Sequence, residues 1–61
     1  MSADNLILIT KKGRKYTVRE VFIEGQVITE IAQTTSLRKA IKEANDYMTT
    51  TTIEYGLEIR I

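Results

Sequence analysis

The stretch SLRKAIKEANDYM, Ser36 to Met48, decides the fold, because it alone in the chain sustains a helical period. Leu37, Ala40, Ile41, Ala44 and Met48 recur at i, i+3, i+4, i+7 and i+11 and lay one apolar stripe along the helix. Arg38, Lys39, Lys42, Glu43, Asn45 and Asp46 fall outside it. Ser36 or Thr35 can cap the first turn, although neither has a Glu or Gln three residues on to complete a capping box. A helix of this length is marginal alone in water, so the rest of the chain must supply a sheet that buries the stripe.

Upstream, Met1 to Asn5 reads as a polar lead-in to strand one, the continuous apolar run Leu6, Ile7, Leu8 and Ile9. Alternation puts Leu6 and Leu8 on one side and Ile7 and Ile9 on the other, so both faces need cover and the strand belongs in the middle of the sheet. Gly13 marks a tight hairpin turn between Lys11, Lys12 and Arg14, Lys15. Strand two, Lys15 to Glu24, is rich in β-branched and aromatic residues, but Tyr16 and Val18 have one parity and Val21 and Ile23 the other. Either a β-bulge near Arg19 and Glu20 returns the latter pair to the core, or they cover the second face.

Residues 25–32 read as a third strand or as an extended connection, and the topology turns on which. As a connection, they give the strand order 2-1-C, all antiparallel. As a strand, they start the helix from the opposite pole and set the last strand parallel to strand one. That last strand is the clearest period-2 segment: Ile53, Tyr55, Leu57, Ile59 and Ile61 alternate with Thr52, Glu54, Gly56, Glu58 and Arg60. The threonine run Thr49 to Thr52 leads into it. The expected fold is therefore a single α+β domain over 1–61, a three- or four-stranded, mainly antiparallel sheet with strand one central and one helix on one face.

One helix covers one face, and it is assigned here to Leu6 and Leu8. Ile7, Ile9, Val21 and Ile23 are then the candidate face of a homodimer, and a free strand edge is the alternative seam. Sixty-one residues make a thin core, burying only about 60% of the surface that the unfolded chain exposes. With no cysteine to staple that core, association is the remaining support.

The chain has no histidine and no cysteine, which removes the usual neutral-pH acid/base and the thiolate ligands. Glu54 and Glu58, four positions apart on one strand face, would stand about 13 Å apart, too far for a paired carboxylate mechanism. No catalytic, metal or nucleotide motif is present, so no enzyme and no cofactor is expected. No apolar run reaches the roughly 20 residues of a membrane span, and a cytoplasmic location follows as the default.

Two features can carry binding. Lys11, Lys12, Arg14 and Lys15 put four of nine positive residues into five positions at the hairpin tip. Arg38 and Lys39 open the helix where its macrodipole is already positive, against the arrangement that stabilises a helix. These six residues are the candidate contacts for nucleic acid or another anion. They form one pole only if residues 25–32 are a strand. The net charge of +1 gives the whole molecule no bias toward DNA, so any such binding must come from this clustering. Tyr16, Tyr47 and Tyr55 read as core or rim packing rather than stacking platforms.

Met1-Ser2-Ala3-Asp4-Asn5, the helix with Leu37, Ala40, Ile41 and Ala44, and the closing Glu54-Tyr55-Gly56-Leu57 resemble segments of small uncharacterised bacteriophage and prophage proteins. The resemblance implies a phage or bacterial cytoplasmic setting and supplies no activity or site residues. The leading functional expectation is a small accessory protein that binds a host or phage protein. Nucleic-acid binding by the hairpin tip is the alternative.

Overall fold

The apolar run at Leu6 to Ile9 sits within a longer strand, β1 (Asn5–Lys12), which pairs along its whole length with β2 (Lys15–Phe22). The computed structural model describes residues 4–61. Met1, Ser2 and Ala3, the first part of the expected lead-in and of the phage-like opening, lie outside the described residues. Asn5, expected in that lead-in, is instead buried at the start of β1. Its amide can be buried because it finds partners on β2 and on the chain that precedes the last strand.

Between β1 and β2 the pair Lys12 and Lys15 closes on Gly13 and Arg14. Gly13 has φ +63° and Arg14 is not at positive φ, the pattern of a type II′ turn. Residues Val27–Thr34 form β3, antiparallel to β2, so the strand alternative for this segment is the one realised. Helix α1 (Leu37–Thr50) follows, capped by the Ser36 hydroxyl, which accepts from the Lys39 N–H at 3.4 Å. The helix runs two residues beyond Met48, with the Thr49 and Thr50 hydroxyls donating back to the carbonyls of Asp46 and Tyr47. The last strand, β4 (Leu57–Arg60), pairs parallel with β1.

The sheet order is β3-β2-β1-β4, with one helix packed on it, an α+β fold. Strand β4 is shorter than its alternation suggests. Residues 51–56 spend the first half of the pattern as a loop, and Gly56, at φ +78°, turns the chain into β4. Tyr55 is accordingly 54% exposed and not core.

Strand β2 carries no bulge against β1. The irregularities lie in β3, where Ile31 and Ile28 are the extra residues, opposite the Val18/Arg19 and Glu20/Val21 steps. With β2 regular, Tyr16, Val18 and Glu20 point toward the helix, and Arg19, Val21 and Ile23 point away from it. The bulge at Ile31 lets both Ile31 and Ala32 pack toward the core.

The helix covers the opposite face of β1 from the one expected. Ile7, Ile9 and Val18 are fully buried under Ala40 and Ala44 and are not available as a dimer face. Leu6, Leu8, Val21 and Ile23 make up the uncovered side. Small alanines bring the helix backbone close to the sheet, and the β-branched Ile7, Ile9 and Val18 fill the space between. Val21 lies on the uncovered side but is itself buried among its strand neighbours Leu6 and Val27, while Ile23 stays half exposed.

Candidate anion-binding pole

Two antiparallel pairings decide what lies near what. Strand β3 is antiparallel to β2 and therefore parallel to β1, so both β1 and β3 end at the same pole of the sheet. The hairpin tip leaves β1 there, and the helix starts there. Thr34 is paired with Tyr16, which follows the tip directly, and only Thr35 and Ser36 separate Thr34 from the first helical turn.

The structure thus brings all six candidate residues to one pole. Lys11, Lys12, Arg14 and Lys15 come from the tip, and Arg38 and Lys39 from the first turn, all of them exposed. A shallow groove lined by Lys11, Arg14, Tyr16 and Thr35 lies between the tip and the segment that leads into the helix. A second depression, along Ala32, Gln33, Thr34, Lys39, Lys42 and Glu43, continues between β3 and the helix. The Lys11 ammonium stands 5.4 Å from the centre of the Tyr16 ring, which fixes a flexible cation over an aromatic face.

None of these six cations has a carboxylate within ion-pair distance among the described residues. The pairs there are Arg19 with Glu30, Lys42 with Asp46, and Arg60 with Glu58. The first helical turn holds no acidic residue, so the positive end of the helix dipole adds to the same field. Asp4, Glu24 and Glu54 sit in segments at the other pole, where β1 and β4 begin, β2 turns into β3 and the helix ends. A net charge of +1 therefore hides a molecule that is basic at one end and acidic at the other.

A second polar cluster was not read from the sequence. Glu20 lies on the helix-facing side of β2 and is 7% exposed. The Asn5 side-chain amide donates to its Oε2 at 2.7 Å, and the Tyr47 hydroxyl donates to its Oε1 at 2.6 Å. Asn5 also donates to the Thr52 carbonyl at 3.1 Å and accepts from the Glu54 N–H at 3.0 Å. The hydrogen bond to the Glu20 carboxylate, with desolvation and the charge of Glu20 adding to it, raises the Tyr47 phenol above its ordinary value. No buried side-chain polar atom among the described residues lacks a partner, and neither groove is lined by a residue of this cluster. Its chemistry is that of a closed clasp that joins β1, β2, the helix and the loop before β4. The partners are 15 and 27 positions from Glu20, so no local pattern announces it.

Among the described residues no group of three or more acidic side chains is placed to hold a metal ion, and no helix is long and apolar enough to cross a membrane. Comparison of the chain with protein-family models, with curated proteins and with solved structures finds no match.

Proposed function

We propose that the chain is a non-enzymatic binding module whose basic pole engages the phosphate backbone of nucleic acid. The observation that carries this reading is the convergence of the hairpin tip and the first helical turn, which places six of the nine positive residues at one end with no carboxylate partner. Packing like charges against a positive helix end costs stability, and an anionic partner offsets that cost. A projecting basic hairpin is also a shape that enters a groove. The reading is of backbone contact because lysines and arginines on an exposed tip meet phosphate oxygens whatever the base sequence.

Fluorescence anisotropy with a mixed-sequence DNA duplex tests it. Six neutralised phosphates give a log–log salt slope of about −5, or a loss of roughly a thousand-fold between 50 and 200 mM salt. Reversing Lys12 and Arg14 to Glu should abolish binding at 50 mM salt. Absence of binding by the unaltered protein at low salt, or equal binding by the reversed variant, would end the proposal.

A protein-binding accessory role is the second reading, favoured by the sheet side opposite the helix, where Ile23 and Val27 are at least half exposed beside Leu6 and Leu8. Affinity capture with and without nuclease separates the two, because partners held through nucleic acid are lost on digestion. A cytoplasmic location belongs to both readings, and the phage setting rests on the resemblance of the opening, helix and closing segments. Both also take the chain as a homodimer, because a thin core with no cysteine to staple it leaves association as the remaining support, through the uncovered sheet side or along a free strand edge.

A further inference from the structure

We infer that the free edge of β4 is the seam of that homodimer, pairing antiparallel with β4 of a second copy in the register that sets Ile59 opposite Ile59. The inference rests on the reading of the chain as self-associating and adds which surface does it.

Strand β4 is an edge strand, joined on one side to β1. The Ile7 N–H donates to the Gly56 carbonyl at 2.8 Å, and the Tyr55 N–H donates to the Asn5 carbonyl at 2.9 Å. Carried along the parallel register, this alternation turns the backbone groups of Glu58 and Arg60 toward β1. The N–H and C=O groups of Leu57 and Ile59 then face outward, as an unpaired row. The side chains divide by the same parity. Leu57 and Ile59 share the helix side with Ile7 and Ile9, whereas Glu58 and Arg60 share the other side with Leu8 and Thr10. The helix lies mainly over β2 and β3, and so leaves Ile59 at 42% and Ile61 at 69% exposed.

A two-fold axis normal to the sheet keeps every side chain on its own face, so directly opposed residues have equal parity and the axis passes through a residue. An axis at Glu58 sets Glu58 against itself, and one at Arg60 sets Arg60 against itself; like charges directly opposite destabilise a pair of strands. An axis at Ile59 sets Glu58 against Arg60 twice. It also makes Ile59 with Ile59, and Leu57 with Ile61, the hydrogen-bonded pairs, using the outward-facing backbone groups. The Glu58 and Arg60 pairs then occupy the non-hydrogen-bonded positions, where opposed side chains are closest. Within one chain these two side chains already form an ion pair, and the seam gives each a second partner. On the helix side, the six apolar side chains of the two strands form one strip. The other edge, β3, is broken by two bulges and offers no such ladder.

Sedimentation equilibrium across the micromolar range tests the seam. The unaltered protein should pass from the mass of one chain to that of two. Ile59→Pro removes an outward N–H while sparing the bonds to β1, and should stay at one chain. Glu58→Arg and Arg60→Glu should each stay at one chain alone, and an equimolar mixture of the two should regain the two-chain mass through heterodimers. Far-UV circular dichroism checks that each variant is folded, and if the proline variant is not, the charge variants decide by themselves. A single-chain mass for the unaltered protein, a two-chain mass in either charge variant alone, or a mixture that fails to associate overturns the seam. Duplex binding by a folded, single-chain variant is read separately, so the fate of the seam and the fate of the basic pole are told apart.

Discussion

Truncating Asn5 to Ala removes a side chain that ties β1 both to β2 and to the loop before β4, and its cost can be worked from the bonds it makes. Three hydrogen bonds go: to Glu20 Oε2, to the Thr52 carbonyl and from the Glu54 N–H. The Thr52 and Glu54 groups are only partly buried and can turn to water. Glu20 cannot, because it is 7% exposed and keeps only the Tyr47 hydroxyl. Leaving a buried charged acceptor short of a donor costs about 1–3 kcal/mol, and the two loop bonds bring the total to roughly 2–4 kcal/mol. A chain of this length has about 3–9 kcal/mol of stability to lose, so the substitution should consume a large share of it. Glu20→Gln is the contrasting variant. Its carbonyl still accepts from Asn5, its amide donates to a Tyr47 hydroxyl rotated to accept, and it should lose about 1 kcal/mol or less. Urea unfolding followed by far-UV circular dichroism measures both, with an unchanged m value marking a change in stability alone. An Asn5→Ala unfolding free energy within about 0.5 kcal/mol of that of the unaltered protein is the behaviour of a surface position and would refute the clasp.

Tyr47 gives the clasp a pH dependence. Its phenol is raised in the folded state, so folding holds the proton more tightly than the unfolded chain does. That contribution is fully present below the ordinary tyrosine range near pH 10 and is lost as pH rises through the folded value; the difference in stability between the unaltered protein and Tyr47→Phe should therefore narrow above about pH 10. A difference that stays constant, or widens, would contradict the sign. Under the helix, Ala40→Leu should destabilise by about 1–3 kcal/mol, seen as a lower thermal midpoint, because Ala40 is fully buried in the cluster that holds Ile7, Ile9 and Val18. A midpoint equal to or above that of the unaltered protein would show that the helix does not approach the sheet there.

The sequence announces its helix and its first hairpin through local signals that tertiary structure does not override: the stripe from Leu37 to Met48, the Ser36 cap, and Gly13 between two basic pairs. The direction of β4 follows once residues 27–34 are known to be a strand, and that in turn decides whether Arg38 and Lys39 join the hairpin tip. The side of β1 that faces the helix is not legible, because Leu6 with Leu8 and Ile7 with Ile9 are equally apolar. What separates them is fit against Ala40 and Ala44 and the burial of Asn5 and Glu20 on the same side, both long-range. No local signal marks Glu20 as buried, since its two partners lie far away in sequence. The late start of β4 is hidden for a different reason. The alternation at Ile53 and Tyr55 continues through a loop in which Ile53 packs into the core while Tyr55 stays in solvent.

The convergence of hairpin tip and helix start in one binding surface is tested most directly by amide chemical-shift mapping during titration with a short DNA duplex at low salt. The proposal expects residues 11–16 and residues 35–39 to shift together, along one binding curve, with the Glu24 and Glu54 segments unmoved. Shifts confined to one of the two basic elements, or centred on the uncovered sheet side around Leu6 and Leu8, would contradict it.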